Sequence, residues 1–352
     1  MIMFNENIRI WNGQQFITHL DNKTESFMII AIHSSRKGRS AGGLRIKTYT
    51  SYEEALEDAF KLSEAMTYKF ILSGLDFGGA KSVIHVPSVL SNELRNEILI
   101  NFSRLLNYLA GQYYVGPDIG TSSVDMDFIY NNGCEYVFSR TTNNRGGGSS
   151  AIPTAHGILT AIKATCENLF GSKDLRDKKI VVQGVGNVGG LLLELLKNEK
   201  ANVKFNEVDQ KLVQLYVNKG FSFIPTRKLF STNCDILSPC GVGNILNSHT
   251  IPLLNCKAIV GAANNQLEEL KNAKELLDKG IFYAPDYVVN LGGAMCITLV
   301  ESEGYSIEDS LIEMKKVISS NVNEIFSISN KKNKTTVQAA EELIKYKLKN
   351  IK

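Results

Sequence analysis

KIVVQGVGNVGG, residues 179–190, is the stretch of this sequence from which the fold can be predicted. Its first half is a short apolar run rich in β-branched residues, a pattern that predicts a buried strand. Glycines follow at positions 184, 186 and 189, and the leucine-rich run LLLELLKNEK after them predicts a helix. A strand, a glycine turn and a helix in this order are typical of the first βα unit of a Rossmann-type, doubly wound α/β domain.

The spacing of these glycines, G-x-G-x-x-G, predicts a loop that binds the phosphates of a dinucleotide. Gly184 would permit the tight turn, Gly186 would let the backbone approach the pyrophosphate, and Gly189 would let helix and strand pack closely. Asn187 and Val188 complete the loop, at a helix N-terminus whose free N–H groups and dipole favour negative charge. Glycine-rich turns of this kind also occur without a nucleotide, but the flanking strand and helix favour dinucleotide binding.

An acidic residue near the end of the next predicted strand indicates which dinucleotide is bound. Glu207 follows the strand-like residues 202–205, at the place where a carboxylate hydrogen-bonds the adenosine ribose hydroxyls. A carboxylate there would repel the additional phosphate of NADP, so we expect NAD. Asp209 is an alternative for the same role, and Lys204 weakens the exclusion of NADP slightly.

A change of composition divides the chain into two domains. Residues 141–150 read TTNNRGGGSS, and such a run of glycines and small polar residues predicts a linker or a hinge, with a floppy surface loop as the alternative. From 151 to about 297, helical and strand patterns alternate, which is the signature of a parallel sheet with helices on both faces. A chain of 352 residues is also longer than a single hydrophobic core usually supports.

The part before this linker predicts a second α/β domain. Residues 27–33 read as a strand, and Ser51 with Glu54 forms a capping box in front of a helix that ends near Gly74. The glycines of residues 77–80 predict a tight turn into the strand that follows.

Composition and charge exclude several functional classes. With 39 basic and 36 acidic side chains the net charge is +3, too small and too dispersed for a nucleic-acid-binding surface. The six cysteines and five histidines show no C-x-x-C or H-x-x-x-H pair, which favours reduced thiols and predicts no metal site. The sequence opens with Met1–Phe4 and reaches polar Asn5-Glu6-Asn7 at once, without a basic region or a sustained apolar region, so we expect no signal peptide. No apolar run approaches the roughly 20 residues of a membrane span. We therefore expect a cytoplasmic protein without a membrane or nucleic-acid partner.

Two lysines of the first domain are candidates for chemistry. Lys69 ends the motif MTYK, and Lys81 ends the motif GGAK. An isolated lysine is usually an exposed charge. Two lysines in one cleft differ, since each cation disfavours protonation of the other and burial adds to the effect, so that one can act as a base near neutral pH.

Several motifs in a fixed order give the sequence its family resemblance. Over nearly the whole chain it resembles the glutamate/leucine/phenylalanine/valine dehydrogenase family, and it is most similar to the leucine, phenylalanine and tryptophan dehydrogenase branch. The motifs that carry the resemblance are AGGLRIKTY (41–49), MTYK (66–69), GGAK (78–81), PDIGTSSVDMD (117–127), PTAHG (153–157), VVQGVGNVGG (181–190), CDILSPCGVGNILN (234–247), GAANNQL (261–267) and YAPDYVVNLGG (283–293).

The resemblance implies a role for each matching residue. Lys69 would bind the α-carboxylate of an amino acid, Lys81 would be the general base that activates water, and Asp118 would exchange protons with the amine and the carbinolamine. Gly42 and Gly43 would line the substrate cleft. Further substrate-binding residues would be Ala41, Asn290, Ala294 and Ile297, and further NAD-binding residues would be Thr154, Asn187, Ala262 and Asn264.

The resemblance also implies the domain functions and the reaction. Residues 1–146 would bind substrate and form a homo-oligomer, residues 147–333 would be the Rossmann NAD-binding domain, and a C-terminal helix at about 334–352 would pack back on the first domain. The implied activity is NAD-dependent oxidative deamination of an apolar L-amino acid to its 2-oxo acid and ammonia, and the reverse reductive amination. A non-catalytic relative that acts as a sensor or assembly partner is the main alternative. A hydroxy-acid dehydrogenase would need a His–carboxylate pair, which these motifs lack.

Departures from the family pattern bear on the substrate. Gly116-Pro117 precedes Asp118 where a small or polar residue, often acidic, is expected, and the turn before the second lysine is GGA rather than GGG. Ala41 stands where glutamate-specific relatives carry a lysine for the substrate's second carboxylate, and burying that carboxylate unpaired would be unfavourable. We therefore expect an apolar substrate. Small Ala41 and Ala294 leave room for an aromatic ring, unless other side chains reduce the space to the size of leucine or valine.

Overall fold

A computed structural model describes this chain over residues 9–87 and 90–350. Residues 1–8, to which the expectation about a signal peptide refers, lie outside the described residues. In the described part, no helix is long and apolar enough to span a membrane. Nor do three or more His, Cys, Asp or Glu side chains come together as metal ligands within that part.

Two units make up the structure, and each has the α/β character that the sequence predicts. Their ranges are Met1–Ser150 with Ile297–Ile307 for the first unit, and Ala151–Cys296 with Glu308–Lys352 for the second. The division after residue 150 falls at the end of the glycine-rich segment. Residues 297–307 belong to the first unit, whereas the expected boundaries of 1–146 and 147–333 place them in the second domain.

The first unit is built on a five-stranded mixed sheet. Its strands are β1 Gln15–Asp21, β2 Ser26–Ile32, β3 Ser40–Lys47, β4 Gly78–His85 and β5 Tyr113–Pro117, and its helices before residue 150 are α1 Tyr52–Ser73, α2 Asn92–Tyr108 and α3 Ser123–Asn131. The strand order is β1-β2-β4-β3-β5, with β1/β2 and β2/β4 antiparallel and β3 parallel to both β4 and β5. Because successive side chains alternate between faces, Ile29 and Val83 pack with α1, whereas Met28 and Ile84 pack with α2.

Helix α1 begins and ends where its sequence predicts. Ser51 is the N-cap, and its hydroxyl accepts the N–H of Glu54 at 3.2 Å. The Glu54 carboxylate reaches back to the N–H of Thr50 at 2.8 Å instead of that of Ser51, so only half of the predicted capping box forms. Gly74 ends the helix in the left-handed region at φ 76°, which glycine adopts without strain.

The glycines of residues 77–80 start a strand, and the predicted tight turn is wrong. Gly78 and Gly79 are the first two residues of β4. A Cβ on Gly79 would lie 2.0 Å from the backbone nitrogen of Thr67 in α1, and a Cβ on Gly78 would lie 2.0 Å from the Ser34 carbonyl oxygen. The glycines are therefore required by close backbone approach rather than by a turn.

The glycine-rich segment before residue 150 is hydrogen-bonded rather than floppy. Residues 142–144 form a 3₁₀ turn. The Gly147 N–H donates to the Glu301 carboxylate at 2.7 Å, and the same carboxylate accepts the Ser139 N–H at 2.8 Å. These bonds hold the segment within the first unit, and its role as a hinge stays a prediction.

The second unit contains a six-stranded parallel sheet. Its strands are β6 Lys179–Gln183, β7 Asn202–Asn206, β8 Ser222–Phe223, β9 Ile236–Pro239, β10 Ala258–Ile259 and β11 Phe282–Tyr283. The helices from residue 151 onward are α4 Ala151–Phe170, α5 Asn187–Asn198, α6 Gln210–Asn218, α7 Lys271–Asp278, α8 Asp286–Val289, α9 Gly292–Glu303, α10 Ile307–Lys332 and α11 Thr336–Asn350. The order β11-β10-β9-β6-β7-β8 is that of a Rossmann domain, with its switch point between β6 and β9. The predicted doubly wound fold is confirmed.

The C-terminal helix packs on the second unit, whereas the sequence analysis expects it to pack on the first domain. Val337 of α11 joins the apolar cluster that contains Leu276 of α7 and Tyr283 of β11. Ala340 and Leu343 on the same helix are also buried. Burial of this apolar side in the core of the second unit accounts for the position of α11.

Candidate active site

Strands β4 and β5 of the first unit, which flank β3, bring together the lysine and the aspartate that the sequence singles out. Lys81 is the fourth residue of β4, and its side chain is only 7% exposed. Asp118 directly follows β5, and its Oδ2 lies 2.6 Å from the Lys81 Nζ. Strand β3, which carries Gly42 and Gly43, lies between β4 and β5 in the sheet. The two residues thus form a buried ion pair beside the glycines of β3.

The two glycines of β3 are required for different reasons. A Cβ on Gly43 would lie 2.9 Å from the Lys81 Nζ and 2.9 Å from the Asp118 Cβ, so this glycine leaves the space in which the pair meets. A Cβ on Gly42 would lie 1.7 Å from the Ala80 carbonyl oxygen. Gly42 is therefore required by the backbone of β4, and Gly43 by the side chains of the site.

Burial and neighbouring charges set the pKa values of this pair. Burial lowers the pKa of Lys81 from the ordinary 10.5, against the attraction of the Asp118 carboxylate, and the Arg45 cation lowers it further. Burial alone would raise the pKa of Asp118, but the Lys81 and Arg45 cations hold it below its usual range. Asp118 is therefore a carboxylate over the ordinary pH range, and Lys81 loses its proton more easily than an exposed lysine.

Three further residues complete this network and were missed by the sequence reasoning. Arg45 Nε donates to Asp118 Oδ2 at 2.9 Å, and Arg45 Nη1 donates to Asp58 Oδ2 at 2.7 Å. The Tyr49 hydroxyl donates to the same Asp58 oxygen at 2.6 Å. One signal for them exists in the sequence, because Arg45 lies between the apolar residues Leu44 and Ile46 of a strand and a buried cation requires an anionic partner.

Helix α1 carries Lys69, the predicted ligand of the substrate α-carboxylate. Its side chain is half-buried. Two residues earlier on the same helix, the backbone of Thr67 lies against Gly79 of β4. The structure therefore brings the MTYK and GGAK motifs together, although they belong to a helix and a strand.

Two residues predicted to line the substrate pocket belong to one apolar cluster of the first unit. The members of this cluster are Ala41, Phe70, Phe77, Phe138 and Ile297. Ala41 is fully buried on β3, and Ile297 is contributed by α9. Ala294, the third predicted pocket residue, lies on the first turn of α9 within the second unit and is half-buried.

The glycine loop of the second unit has the backbone that its motif predicts. Gly184 has φ 82°, in the left-handed region, and a Cβ on Gly189 would lie 1.9 Å from the Gly184 oxygen. A Cβ on Gly186 would meet nothing within 4 Å, which leaves open space at the loop. Helix α5 begins at Asn187 and continues through Val188, directly after the loop. This geometry fits a pyrophosphate bound at a helix N-terminus.

Contacts of the two acidic candidates distinguish their roles. The Glu207 carboxylate accepts the N–H of Val185, within the glycine loop, at 2.8 Å. Asp209 instead is the N-cap of α6, where its carboxylate accepts the Lys211 N–H at 2.8 Å. Glu207 is therefore the candidate that contacts the loop, and Asp209 serves to start a helix.

Asn290, predicted to bind the substrate, meets two of the predicted NAD-binding residues in the second unit. Asn290 Nδ2 donates to the Ala262 carbonyl at 3.0 Å and to Asn264 Oδ1 at 2.8 Å. Asn290 Oδ1 is buried and has no hydrogen-bond partner among the described residues. An unsatisfied buried acceptor is costly, so a ligand that donates a hydrogen bond there would be stabilising. Thr154, on the first turn of α4, is half-buried.

Two family domains match this chain. Residues 16–133 match the Glu/Leu/Phe/Val dehydrogenase dimerisation domain. Residues 200–350 match the Glutamate/Leucine/Phenylalanine/Valine dehydrogenase domain. The matches lie in the two halves of the chain and follow the order that the motifs predict.

Individual relatives match almost the whole chain. Leucine dehydrogenase from Geobacillus stearothermophilus is 34% identical over 97% of this chain and 92% of its own length. Phenylalanine dehydrogenase from Lysinibacillus sphaericus is 35% identical over 96% of this chain and 89% of its own length. The crystal structure of L-tryptophan dehydrogenase from Nostoc punctiforme matches with a TM-score of 0.81 and 33% identity, covering 99% of both chains.

Proposed function

This chain belongs to the glutamate/leucine/phenylalanine/valine dehydrogenase family, and we propose that it catalyses the NAD-dependent oxidative deamination of an apolar L-amino acid. The products are the 2-oxo acid and ammonia, and the same site catalyses the reverse reductive amination. The observation that carries the proposal is the buried Lys81–Asp118 pair beside Gly43. A lysine whose pKa is lowered in this way suits a general base, whereas a sensor or assembly partner has no use for one.

Lys81 acts as the general base of the hydrolytic half of the reaction. In its neutral form it takes a proton from water, and the hydroxide adds to the imine carbon of the oxidised substrate to give a carbinolamine. Asp118, whose Oδ2 lies 2.6 Å from the Lys81 Nζ, exchanges protons with the amine. The protonated nitrogen leaves as ammonia while the hydroxyl proton is lost, which releases the 2-oxo acid.

The cofactor and the substrate backbone are held by separate groups. NAD, when bound, supplies the hydride acceptor for the substrate α-carbon. The residues that would hold it are the glycine loop at 184–189, Glu207, Thr154, Ala262 and Asn264, whereas Asn290 would bind the substrate. Glu207 favours NAD over NADP, because a carboxylate in contact with the glycine loop repels a 2′-phosphate. Lys69 binds the α-carboxylate and so orients the substrate.

The apolar cluster around Ala41 supports an apolar substrate side chain. Its members are aliphatic or aromatic, and none of them can pair with a second carboxylate. Glutamate is therefore disfavoured. The small Ala41 favours a bulky or aromatic side chain, whereas the phenylalanines packed against it favour one of the size of leucine or valine, and the substrate panel below decides between them.

We also infer a homo-oligomer that forms through the first unit. Residues 16–133 match a dimerisation domain, and β1 is an edge strand on which Leu20 is 52% exposed. An exposed edge strand is a template for pairing with another chain, and a second copy would cover it. A cytoplasmic location fits the six cysteines, which are free thiols.

A panel of amino acids tests the proposal. Phenylalanine, tryptophan, leucine and glutamate, with their 2-oxo acids, are assayed by NADH absorbance, and Lys81→Ala is the control. We expect the apolar substrates to exceed glutamate in kcat/KM, and Lys81→Ala to lose on the order of 100-fold or more in kcat while it still binds NAD. Turnover of none of them would support the non-catalytic alternative, and a preference for glutamate would overturn the apolar assignment.

A further inference from the structure

We propose that Arg45 is a positioning residue that holds the Asp118 carboxylate in place for Lys81 and, as a permanent cation, favours the neutral amine of that lysine. Asp58 in turn holds Arg45. The effect on turnover rests on the proposed function. The charge balance around Lys81 can be measured without turnover, so the two ideas can fail separately.

One carboxylate oxygen joins the two cations of the site. Asp118 Oδ2 accepts the Nε–H of Arg45 at 2.9 Å and lies 2.6 Å from the Lys81 Nζ. The second branch of the guanidinium fork donates from Nη1 to Asp58 Oδ2 at 2.7 Å. The Arg45 side chain is 10% exposed, so these charge-assisted hydrogen bonds form largely out of contact with water.

The register of β3 accounts for the position of Arg45. Along a strand, residues two apart point to the same face, so Arg45 shares the face of Gly43. A Cβ on Gly43 would touch both Lys81 and Asp118, which places the ion pair on that face. Arg45 and Lys81 therefore reach the same Asp118 oxygen from neighbouring strands.

The charged groups of the site come from the elements that surround β4. They are Arg45 on β3, Asp118 after β5, and Asp58 on α1. Strand β2, the other neighbour of β4, has no ionisable side chain over Ser26–Ile32. Burial raises the pKa of Tyr113 on β5 and of Tyr49 beside Asp58, so both phenols stay neutral.

The charge of Arg45 matters most when Lys81 gives up its proton. With Lys81 protonated, the cations of Lys81 and Arg45 balance the carboxylates of Asp118 and Asp58. With Lys81 neutral, Arg45 still pairs with Asp118. Without Arg45, the ammonium form of Lys81 would be needed to pair with Asp118, so Lys81 would hold its proton more tightly. Asp58 acts in the opposite sense, because its negative charge favours the protonated lysine.

Two substitutions should therefore move the pKa of Lys81 in opposite directions. Arg45→Met removes the competing cation and should raise this pKa by about 1 or more, whereas Asp58→Asn should lower it. Arg45→Lys keeps the charge but loses the fork, so the pKa should stay near that of the parent while kcat falls. Arg36→Met and Asp76→Asn are matched controls, since this ion pair at 3.0 Å also lies in the first unit but does not contact Lys81.

The experiment compares two measurements on the full-length protein. Acetic anhydride modifies the neutral amine, so the pH dependence of Lys81 acetylation, followed by peptide mass spectrometry, reports the pKa without turnover. The pH dependence of kcat/KM for deamination, followed through NADH, reports the same ionisation in the free enzyme. At a pH below the midpoint, a rise of 1 in the pKa corresponds to a loss of about tenfold in kcat/KM.

The proposal is supported if Arg45→Met raises the pKa of Lys81, Asp58→Asn lowers it, and Arg45→Lys leaves it near the value of the parent. If the pKa of Lys81 shifts in the same direction in Arg45→Met and Asp58→Asn, or shifts in neither, the proposal is overturned and Arg45 is a purely structural residue. If Arg45→Met does not fold, Asp58→Asn and Arg45→Lys decide, because the first must lower the pKa of Lys81 and the second must preserve it. If no amino acid is turned over, the proposed function fails, and acetylation alone decides the role of Arg45.

Discussion

Gly43→Ala tests the geometry of the site directly, because the added methyl group would occupy the space in which Lys81 and Asp118 meet. The new Cβ would lie 2.9 Å from the Lys81 Nζ and 2.9 Å from the Asp118 Cβ, whereas ordinary contacts begin at 3.4 Å. The lysine amine must therefore move by at least about 0.5 Å. A misplacement of about 1 Å can cost on the order of 100-fold in rate, so we expect kcat to fall by about 10- to 100-fold. The Lys81 amine can give way, but the Asp118 Cβ at 2.9 Å and the Pro117 carbonyl oxygen at 3.2 Å are tied to the backbone, so we expect the fold to persist with a smaller loss of stability than in Gly42→Ala.

Two neighbouring glycines provide matched controls. At Gly42 the new Cβ would lie 1.7 Å from the Ala80 carbonyl oxygen, and backbone must move. We expect Gly42→Ala to lower the free energy of unfolding by more than the roughly 1–3 kcal/mol that is typical of overpacking. At Gly116 the nearest atom would be 3.9 Å away, so Gly116→Ala should keep both its stability and most of its activity.

Urea unfolding and NADH absorbance measure the two effects separately. A large loss of kcat with a small loss of stability in Gly43→Ala, and a larger loss of stability in Gly42→Ala, would agree with the contacts. A Gly43→Ala variant with the kcat of the parent would refute the reasoning, as would one that unfolds as readily as Gly42→Ala. Either result would mean that the pair does not meet in the space beside Gly43.

Because burial lowers the pKa of Lys81, kcat/KM for deamination should rise with pH, and the midpoint of this rise should lie below pH 10.5. A midpoint at or above pH 10.5 would contradict the assignment of Lys81 as the base. Glu207→Ser should narrow the preference for NAD over NADP, since it removes the charge beside the glycine loop; kcat/KM for the two dinucleotides measures this, and an unmodified enzyme that prefers NADP would show the reasoning to be wrong. Glu301→Ala should lower the free energy of unfolding by about 1–3 kcal/mol, because two backbone N–H groups lose their acceptor. Glu303→Ala, at an exposed position of the same helix, should change the free energy of unfolding by less than about 0.5 kcal/mol in urea unfolding. Equal effects of Glu301→Ala and Glu303→Ala would argue against the role of Glu301 as the acceptor of these N–H groups.

The second unit could be predicted from sequence because its signals are local. The strand, the glycine spacing and the acidic residue that follows all lie between residues 179 and 207. Gly79 shows where such reasoning fails. Its glycine is required by the backbone of Thr67, on a helix that precedes it in the chain, so a rule based on neighbouring residues assigns a turn where the structure has a strand.

The charge network of the site likewise joins residues that are far apart in the sequence. Asp58 and Asp118 lie 13 and 73 positions from Arg45, and no helix or strand period relates them. The strand pattern still sets a condition, because a guanidinium buried within SAGGLRIK must find carboxylates. The parallel register of β3 and β5 meets this condition. Leu44 pairs with Pro117, Arg45 follows Leu44 on β3, and Asp118 follows the end of β5. The partner of a buried charge in an apolar strand is therefore to be sought at the end of the neighbouring strand, which requires the sheet order and not motif spacing alone.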